Sequence, residues 1–364
     1  MMKTVLCIVG TRPEAIKMAP VILALGRARG LRCRVLATAQ HRQMLDQALS
    51  LFGIVPDIDL DLMRPDQSLA EMTGRMLLRL GPVLADEAPD IVLAQGDTTT
   101  VMASALAAFY AGRPFGHVEA GLRTGRLRSP FPEELNRVLT SRMARWHFAP
   151  TVHAAEQLRQ EGYDAAAIHV TGNTVIDALR HVAASAPHLP VPIPSGQRLI
   201  LATLHRRENF GSPLERICAA LAHLVERNPD TDLLIPVHQN PNVRSVIESR
   251  LAGRPRIHLT DPLGYAEFVA AMKRAHLILS DSGGVQEEAP ALGKPVLVLR
   301  DTTERPEAVM AGVTALIGTE TETILCRAQE LLDSPTAYGR MAAGGSPYGD
   351  GRAAERIVEI LRAA

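Results

Sequence analysis

Residues 277–288 read Leu-Ile-Leu-Ser-Asp-Ser-Gly-Gly-Val-Gln-Glu-Glu, and no other stretch of the chain is as informative about the fold. The apolar beginning predicts a buried strand, and the Ser-Gly-Gly that follows predicts the start of a helix. Glycines let the backbone approach a ligand, and free N–H groups at a helix N-terminus attract anions. Glu288 would lie about one turn into this helix, where its carboxylate could accept hydrogen bonds from ribose hydroxyls. The segment indicates a nucleotide site, although a helix cap followed by two solvated glutamates explains it equally well.

The same alternation of short apolar runs and amphipathic stretches continues along the whole chain, and it predicts parallel sheets covered by helices on both faces. The predicted strands are 4–9, 33–37, 91–94, 115–118 and 147–149, followed by 199–203, 232–236, 257–260, 277–280 and 295–299. The predicted helices include 16–29, 69–87, 100–110, 214–226 and 265–273.

The alternation is interrupted at residues 187–194, Pro-His-Leu-Pro-Val-Pro-Ile-Pro, where alternate prolines exclude a helix or a central strand. We interpret this segment as extended chain near a domain junction. The expected fold is α/β, with two Rossmann-like, doubly wound domains and the active site in the interdomain cleft, rather than one long sheet. The expected domains are 1–172 and 173–350, and a C-terminal helix at 351–364 is expected to pack back on the first domain.

Composition excludes several classes of function. The 364 residues carry 39 basic and 39 acidic side chains, and only 4% are aromatic, so nucleic acid and anionic membranes are not expected partners. Neither Gly-x-Gly-x-x-Gly nor a P-loop motif occurs, and no spacing of His, Cys and Glu is typical of a metal site. The four separated cysteines predict buried thiols in a cytoplasmic protein, and the first apolar run is too short for a membrane span.

Charged residues follow several predicted strands of the first half. Arg12 and Lys17 would bind phosphate, or else be surface cations beside a capped helix. Asp97 would be a carboxylate in the ligand crevice, or an ordinary helix N-cap. Glu119 follows an apolar strand, where desolvation would raise its pKa towards values useful to an acid or a base. The alternative for Glu119 is a salt bridge with Arg123.

Further polar clusters begin a helix or follow strands of the second half. Glu133 lies at a predicted helix start, where the helix dipole alone would favour an acidic residue. His205 with Arg206 and Arg207 forms a natural phosphate site, and His205 could also donate a proton. His238 ends the next strand, where a single histidine is more often an ordinary loop residue. Because such clusters recur at strand ends in both halves, function is the better interpretation of the set.

With these motifs in place, the chain resembles the bacterial non-hydrolysing UDP-N-acetylglucosamine 2-epimerases. The matching segments extend from 10–20 to 347–351, and the most specific are 281–288 and 300–307, Arg-Asp-Thr-Thr-Glu-Arg-Pro-Glu. The resemblance implies two domains in the GT-B arrangement, a homodimer, and no cofactor or metal. It also implies reversible C2 epimerisation of UDP-N-acetylglucosamine to UDP-N-acetylmannosamine, which supplies units for cell-surface polysaccharide.

The resemblance also implies roles for individual residues. The catalytic residues would be Asp97, Glu119, Glu133 and His205. The substrate-binding residues would be Arg12, Lys17, Asp97, Glu119, His205, Phe268, Ser282, Gly283, Gly284, Glu288 and Arg305. A second, regulatory substrate would contact Gln40, Gln43, Glu133, Arg206 and His238. Two positions differ from some relatives: Leu263 replaces a nucleotide-contacting Gln, and Asp66 replaces a basic residue.

The C2–H of the sugar is not adjacent to a carbonyl, so elimination of UDP and its re-addition is the expected route. A carboxylate would remove the C2 proton while cations stabilise the departing diphosphate. Three other functions remain as alternatives: a hydrolysing epimerase that releases N-acetylmannosamine and UDP, a GT-B glycosyltransferase, and a non-catalytic UDP-sugar sensor.

Overall fold

Two parallel β-sheets, each covered by helices, form the framework of the protein. The computed structural model describes residues 2–38, 42–64, 67–185 and 187–364. The chain divides into a first unit of Met1–Ala178 with Tyr348–Ala364, and a second unit of Leu179–Pro347. These divisions lie a few residues from the boundaries expected at 172/173 and 350/351.

The strand pairings among the described residues are all parallel, which agrees with the α/β fold expected from the sequence. The strands are β1 (Lys3–Val9), β2 (Leu31–Ala37), β3 (Ile58–Asp59), β4 (Ile91–Gln95), β5 (Phe115–Val118), β6 (Trp146–Ala149), β7 (Ile168–Val170), β8 (Arg198–Thr203), β9 (Thr231–Pro236), β10 (Ile257–Thr260), β11 (Leu277–Ser280), β12 (Val296–Val298) and β13 (Thr314–Leu316). The first sheet has the order β3-β2-β1-β4-β5-β6-β7, and the second has the order β10-β9-β8-β11-β12-β13. Strand order therefore reverses between β1 and β4 and between β8 and β11, which is where doubly wound sheets bind ligands.

The helices connect successive strands and cover the sheets. They are α1 (Arg12–Arg27), α2 (Arg42–Leu51), α3 (Leu69–Glu87), α4 (Thr99–Tyr110), α5 (Glu133–Met143), α6 (Val152–Gln160), α7 (Thr174–Ala184), α8 (Ser212–Arg227), α9 (Pro241–Leu251), α10 (Tyr265–Arg274), α11 (Gly283–Ala291), α12 (Pro306–Met310), α13 (Thr321–Asp333), α14 (Pro335–Ala342) and α15 (Ala353–Ala363). Short 3-10 turns occupy Ala165–Ala167 and Arg207–Asn209. Helix α15 packs on α1 in the first unit, and the Asp177 carboxylate accepts hydrogen bonds from the backbone N–H groups of Ala353 and Ala354.

The ten predicted strands are all present, but β3, β7 and β13 were missed. These three strands are only two or three residues long and lie at sheet edges. Edge strands are buried on fewer sides, so they lack the continuous apolar run that reveals a central strand. By contrast, Leu277, Ile278 and Leu279 of β11 are fully buried, as their sequence predicted.

Helix α1 begins four residues earlier than the predicted start at residue 16. Thr11 is its N-cap and Glu14 completes a capping box, with Pro13 in the first turn. This Thr-x-x-Glu pattern is a start signal that outweighs the first apolar residue of the helical face. Residues 187–194 contain neither helix nor strand, as their prolines predicted.

The prediction of buried thiols was correct for some of the cysteines only. Cys7 and Cys218 are buried, but Cys326 is exposed on α13, so the prediction of buried thiols was wrong for Cys326. Within the described ranges, none of the helices has the length and apolar character needed to cross a membrane.

Gly121, in the turn after β5, provides a test of how closely this turn approaches α6. Its φ is +93°, and a Cβ there would lie 2.2 Å from the carbonyl oxygen of Ala154. Gly121→Ala should therefore destabilise the protein by about 3 kcal/mol, through left-handed strain and steric overlap together. The measurement is the midpoint of thermal unfolding.

Gly112→Ala is the matched control for this substitution. Gly112 also has a left-handed φ, +65°, but nothing lies within 4 Å of its added Cβ. Gly112→Ala should lower the free energy of unfolding by about 1 kcal/mol, through backbone strain alone. An equal decrease in the midpoint of thermal unfolding of the two variants would contradict the close approach of the turn to α6.

Candidate active site

Polar side chains gather at the carboxyl ends of β1, β4 and β5 in the first unit and of β8 and β11 in the second. In each sheet these strands include the pair at which strand order reverses. Because the helices diverge to opposite faces at such a point, the strand ends there are open to a ligand.

Asp97 follows β4 and is held by contacts from α5. Its Oδ2 accepts a hydrogen bond from Arg137 Nη2 at 2.5 Å, and its backbone carbonyl accepts one from Asn136 Nδ2 at 2.9 Å. His117 Nε2 lies 2.7 Å from the carbonyl oxygen of Gly96. Burial lowers the pKa of His117 to about 3, so the ring is neutral and Nε2–H donates to Gly96. The Asp97 turn is therefore fixed from both sides.

The alternative that Asp97 is a helix N-cap is wrong. Thr98 is the N-cap of α4, and its hydroxyl accepts the N–H of Val101. The Asp97 side chain is 28% exposed, so its carboxylate remains accessible to solvent or a ligand.

Glu119 lies directly after β5 and forms an ion pair with Lys17. The two side chains approach to 2.6 Å, and Gln95 Nε2 donates to the same carboxylate oxygen at 3.0 Å. The Glu119 side chain is only 8% exposed, which confirms the predicted desolvation. The alternative pairing with Arg123 is wrong, because Arg123 pairs with Glu161 at 2.7 Å.

The backbone of Glu119 is also unusual, since its φ is +64°. A non-glycine residue in the left-handed region costs roughly 1–3 kcal/mol, and such residues cluster at functional sites. The strained backbone therefore supports a functional role for the Glu119 carboxylate in the position that this conformation gives it.

Glu133 and Arg12 each begin a helix. Glu133 is the first residue of α5 and is half-buried, and Arg12 is the first residue of α1 and is exposed. The neighbouring Glu134 is buried instead, and it accepts the backbone N–H groups of Thr124 and Gly125 at 2.9 and 3.1 Å. The two adjacent glutamates therefore differ in environment: Glu134 anchors a loop, and Glu133 keeps a more accessible side chain.

Glu14 is a buried carboxylate to which the sequence interpretation assigned no role. It is 2% exposed and accepts hydrogen bonds from the backbone N–H of Gly10 at 2.6 Å and of Thr11 at 2.9 Å. The hydroxyl of Thr98 donates to its other oxygen. The Thr-x-x-Glu spacing of a capping box was the signal that could have identified it.

Asp281 organises the site of the second unit, although its place in the motif predicted no role of its own. It is fully buried, and its carboxylate accepts the backbone N–H groups of His205 and Arg206 and the side-chain amide of Asn209. The Nδ1 of His205 lies 2.9 Å from Asp281 Oδ1. Burial alone would raise the pKa of Asp281, but the hydrogen bond from the His205 side chain and the backbone donors hold it below its usual range. Asp281 thus joins the end of β8 to the end of β11.

The N-terminus of α11 lies beneath two guanidinium groups. Its N-cap, Ser282, makes no side-chain capping bond, so the first N–H groups of the helix have no cap from that hydroxyl. A Cβ placed on Gly283 would lie 3.4 Å from Arg206 Nη2 and 3.8 Å from Arg305 Nη2. Arg305 is in turn oriented by Glu287, 2.5 Å away. Backbone donors and two cations therefore meet at the Ser-Gly-Gly turn, which favours an anion.

Glu288 is 8% exposed and Glu287 is 2% exposed, so the alternative of two solvated glutamates after the turn is wrong. The hydroxyl of Tyr265 donates to Glu288 Oε2 at 3.0 Å, and burial raises the pKa of Tyr265 well above its usual value. Phe268 lies on the same helix as Tyr265, and Leu263 precedes that helix.

The residues expected to hold a second substrate are placed as follows. Gln40 lies outside the described residues, as does Asp66. Gln43 is exposed on α2, and Arg206 lies against Gly283. His238 is exposed after β9, and its ring stacks on that of His205 with centroids 5.9 Å apart. In the part of the chain that the structure describes, no three His, Cys, Asp or Glu residues form a group that could hold a metal ion.

Comparison with known proteins identifies the family. The family model described as UDP-N-acetylglucosamine 2-epimerase matches residues 23–362. A probable UDP-N-acetylglucosamine 2-epimerase of Ralstonia nicotianae is 52% identical over 372 residues, covering 100% of this chain and 99% of the relative. The UDP-N-acetylglucosamine 2-epimerase of Escherichia coli is 50% identical over 369 residues, covering 98% of each chain.

Among solved structures, the UDP-GlcNAc 2-epimerase of Neisseria meningitidis bound to UDP-GlcNAc is similar to this chain at 49% identity. It superposes with a TM-score of 0.90 and covers 99% of this chain and 100% of its own. The family resemblance and the GT-B-type fold expected from the sequence are therefore confirmed. The chain belongs to the UDP-N-acetylglucosamine 2-epimerase family.

Proposed function

We propose that the protein epimerises UDP-N-acetylglucosamine at C2 to UDP-N-acetylmannosamine, reversibly and without hydrolysis. The observation that carries the proposal is the candidate anion-binding site at the N-terminus of α11, where Arg206 and Arg305 flank Gly283. Such a site would bind the diphosphate of the substrate, because backbone N–H groups and guanidinium groups both donate hydrogen bonds to phosphate oxygens. The relative from Neisseria meningitidis, bound to UDP-GlcNAc in its crystal structure, supports the same substrate.

The second unit would hold the UDP part of the substrate. His205, Ser282, Gly283, Gly284 and Arg305 would contact the diphosphate. Glu288, whose carboxylate is fixed by Tyr265, would accept hydrogen bonds from the ribose. Phe268 would pack on the nucleoside, and Leu263 would contribute an apolar contact where some relatives have an amide. These groups are present before reaction, so little reorganisation is needed when the leaving group gains charge.

The first unit would act on the sugar. One carboxylate among Asp97, Glu119 and Glu133 removes the C2 proton, the C1–O bond breaks, and UDP departs from an unsaturated 2-acetamidoglucal. UDP then adds back to C1 while a proton reaches the opposite face of C2. Asp97 and Glu119 each lie within hydrogen-bonding distance of a cationic partner, Arg137 and Lys17 respectively. Arg12 and Lys17 would add positive charge near the departing diphosphate.

Incubation with UDP-N-acetylglucosamine in deuterated water, followed by proton NMR, tests this proposal. Deuterium should enter C2 and both UDP-sugars should appear, because the C2 proton passes through solvent-exchangeable carboxylates. Glu119→Gln should slow the exchange about 10²-fold or more, since general base catalysis contributes at least that much.

Glu322→Gln is the control for this substitution, because Glu322 is exposed on α13 and should exchange at the wild-type rate. Absence of exchange in the wild-type protein would contradict epimerisation. Accumulation of free UDP with N-acetylmannosamine would establish the hydrolysing alternative, and full activity of Glu119→Gln would remove that residue from the mechanism.

We also infer that the protein forms a homodimer through the outer surface of α3 and α4. Leu78 on α3 is 78% exposed, and Phe109 and Tyr110 on α4 are 64% and 74% exposed. An apolar groove of about 350 Å³ lies between these helices and includes Leu77 and Ala107 in its lining. Neighbouring exposed hydrophobic side chains of this size are typical of a protein interface.

Analytical ultracentrifugation tests the interface. The wild type should sediment with twice the mass of one chain, and Leu78→Arg combined with Tyr110→Arg should sediment as a monomer because two charges would be buried in the interface. Val55→Arg serves as the control, since Val55 is 83% exposed but lies on neither helix. A monomeric wild type would contradict the dimer.

A second substrate molecule would bind beside the first and regulate the reaction, through Gln40, Gln43, Glu133, Arg206 and His238. The stacking of His238 on His205 supports this proposal, because it links a regulatory residue to a residue proposed to contact the substrate. Burial and the charge of His205 lower the pKa of His238, so its ring is neutral at pH 7 and suited to hydrogen bonding rather than charge pairing.

The dependence of rate on substrate concentration tests the regulation. The wild type should give a sigmoidal curve, and His238→Ala should give a hyperbolic curve because the contact between the two substrate positions is lost. His153→Ala, at an exposed position on α6, should keep the sigmoidal curve. A hyperbolic curve for the wild type would contradict a regulatory site.

A further inference from the structure

Glu14 makes contacts that go beyond those of a helix cap. As the third residue of α1, it closes a capping box with Thr11 through one carboxylate oxygen. The other oxygen accepts the hydroxyl of Thr98, which belongs to a different turn, 84 residues along the chain. One buried carboxylate therefore connects the β1–α1 turn to the β4–α4 turn, across the two strands at which the order of the first sheet reverses.

Both turns carry residues proposed to act on the sugar. Asp97 immediately precedes Thr98, and Thr98 starts α4 by accepting the N–H of Val101 at 3.4 Å. Lys17 lies three residues after Glu14, on the same helix, and pairs with Glu119 at 2.6 Å. A displacement at Glu14 would thus move the Asp97 turn relative to the helix that orients Glu119.

A second capping box in the same unit shows what capping alone requires. Glu71 accepts the N–H and the hydroxyl of Ser68, each at 2.8 Å, at the start of α3. It is exposed, and the backbone hydrogen bond from Ser68 lowers its pKa. A glutamate can therefore complete a capping box at the surface, without burial and without a bond to a distant turn.

Glu14 is in the opposite situation. Burial raises its pKa to about 7, and the negative charge of Asp97 acts in the same direction, against the hydrogen bonds from Thr98, Gly10 and Thr11. A buried carboxylate is costly, and a cap does not need one. What the buried carboxylate adds beyond a cap is the hydrogen bond from Thr98, the residue next to Asp97.

We propose that Glu14 is a positioning residue that acts through the Thr98 hydroxyl to hold Asp97 in place for proton transfer at C2 of the sugar. This inference rests on the proposed epimerase function. Glu14 does not itself touch the substrate in this role, so its removal should change the turnover rate and leave nucleotide binding, which the second unit provides, largely intact.

Steady-state kinetics of five variants test the proposal. Glu14→Gln and Thr98→Val should each lower kcat about 10- to 100-fold with KM within about twofold of the wild type, because binding energy is kept while the geometry of proton transfer is lost. The double variant should be no slower than the slower single variant, since both substitutions break the same link. Thr98→Ser keeps the hydroxyl and should recover most of kcat, and Glu71→Gln is the control for loss of a capping carboxylate and should keep wild-type kcat.

The pH dependence of thermal stability gives a readout that does not require activity. Because the pKa of Glu14 in the folded protein, about 7, is above its ordinary value of 4.5, the protonated side chain stabilises the fold. This contribution is complete below pH 4.5 and is lost as the pH rises through 7. The melting temperature of the wild type should therefore fall relative to that of Glu14→Gln as the pH rises from 4.5 to 7. The charged neighbour that acts on Glu14 is Asp97.

The outcomes separate this inference from the proposed function. Absence of deuterium exchange in the wild type would refute epimerisation itself. If the wild type epimerises, the positioning role would be overturned by a Glu14→Gln kcat within twofold of wild type, or by equal losses in Glu14→Gln and Glu71→Gln. Multiplying losses in the Glu14→Gln, Thr98→Val double variant would also overturn it, because two independent sites would then be responsible.

Discussion

Reversal of strand order in a parallel sheet is the constraint on which the rest of this structure depends. Helices that connect the strands on either side of the reversal run to opposite faces of the sheet, so they cannot cover the strand ends there. The reversal lies between β1 and β4 in the first unit and between β8 and β11 in the second. Most residues proposed to act on the sugar or the diphosphate follow one of these strands or their neighbour β5, or begin a helix. Lys17, in the second turn of α1, and Arg305, which follows β12, are the exceptions.

An open strand end is useful only if the turns that leave it are held in place, and here buried carboxylates do this in both units. Asp281 joins the turns after β8 and β11 by accepting backbone and side-chain donors, and Glu14 joins the turns after β1 and β4 through Thr98. Their energetics differ. Asp281 has enough donors to hold its pKa below the usual range, whereas burial raises the pKa of Glu14 to about 7. Holding the turns after β1 and β4 together therefore costs the burial of a carboxylate with a raised pKa, whereas the carboxylate that holds the turns after β8 and β11 has a lowered pKa.

The charges in the two units are also arranged for different tasks. In the first unit, Lys17 pairs with Glu119, and Arg137 pairs with Asp97 and Glu134. In the second, Arg206 pairs with Glu304 and Arg305 pairs with Glu287, and both guanidinium groups also flank the glycine at the start of α11. The first arrangement suits proton transfer at carbon, and the second suits a leaving group that gains negative charge.

The sequence by itself determined the α/β class, ten of the strands, and the turns that carry Asp97, Glu119, His205 and the Ser-Gly-Gly motif. These features depend on local periodicity, on prolines and glycines, and on motifs of a few residues, all of which can be read along the chain. The edge strands β3, β7 and β13 were missed because they are too short and too little buried to leave a pattern. Only the tertiary structure decided the pairings: Lys17 rather than Arg123 with Glu119, Glu14 with Thr98, and Arg206 with Arg305 above Gly283. The partners lie up to 102 residues apart in the chain, and the many charges in the sequence allow many pairings, so the choice depends on which strand ends the sheet brings together.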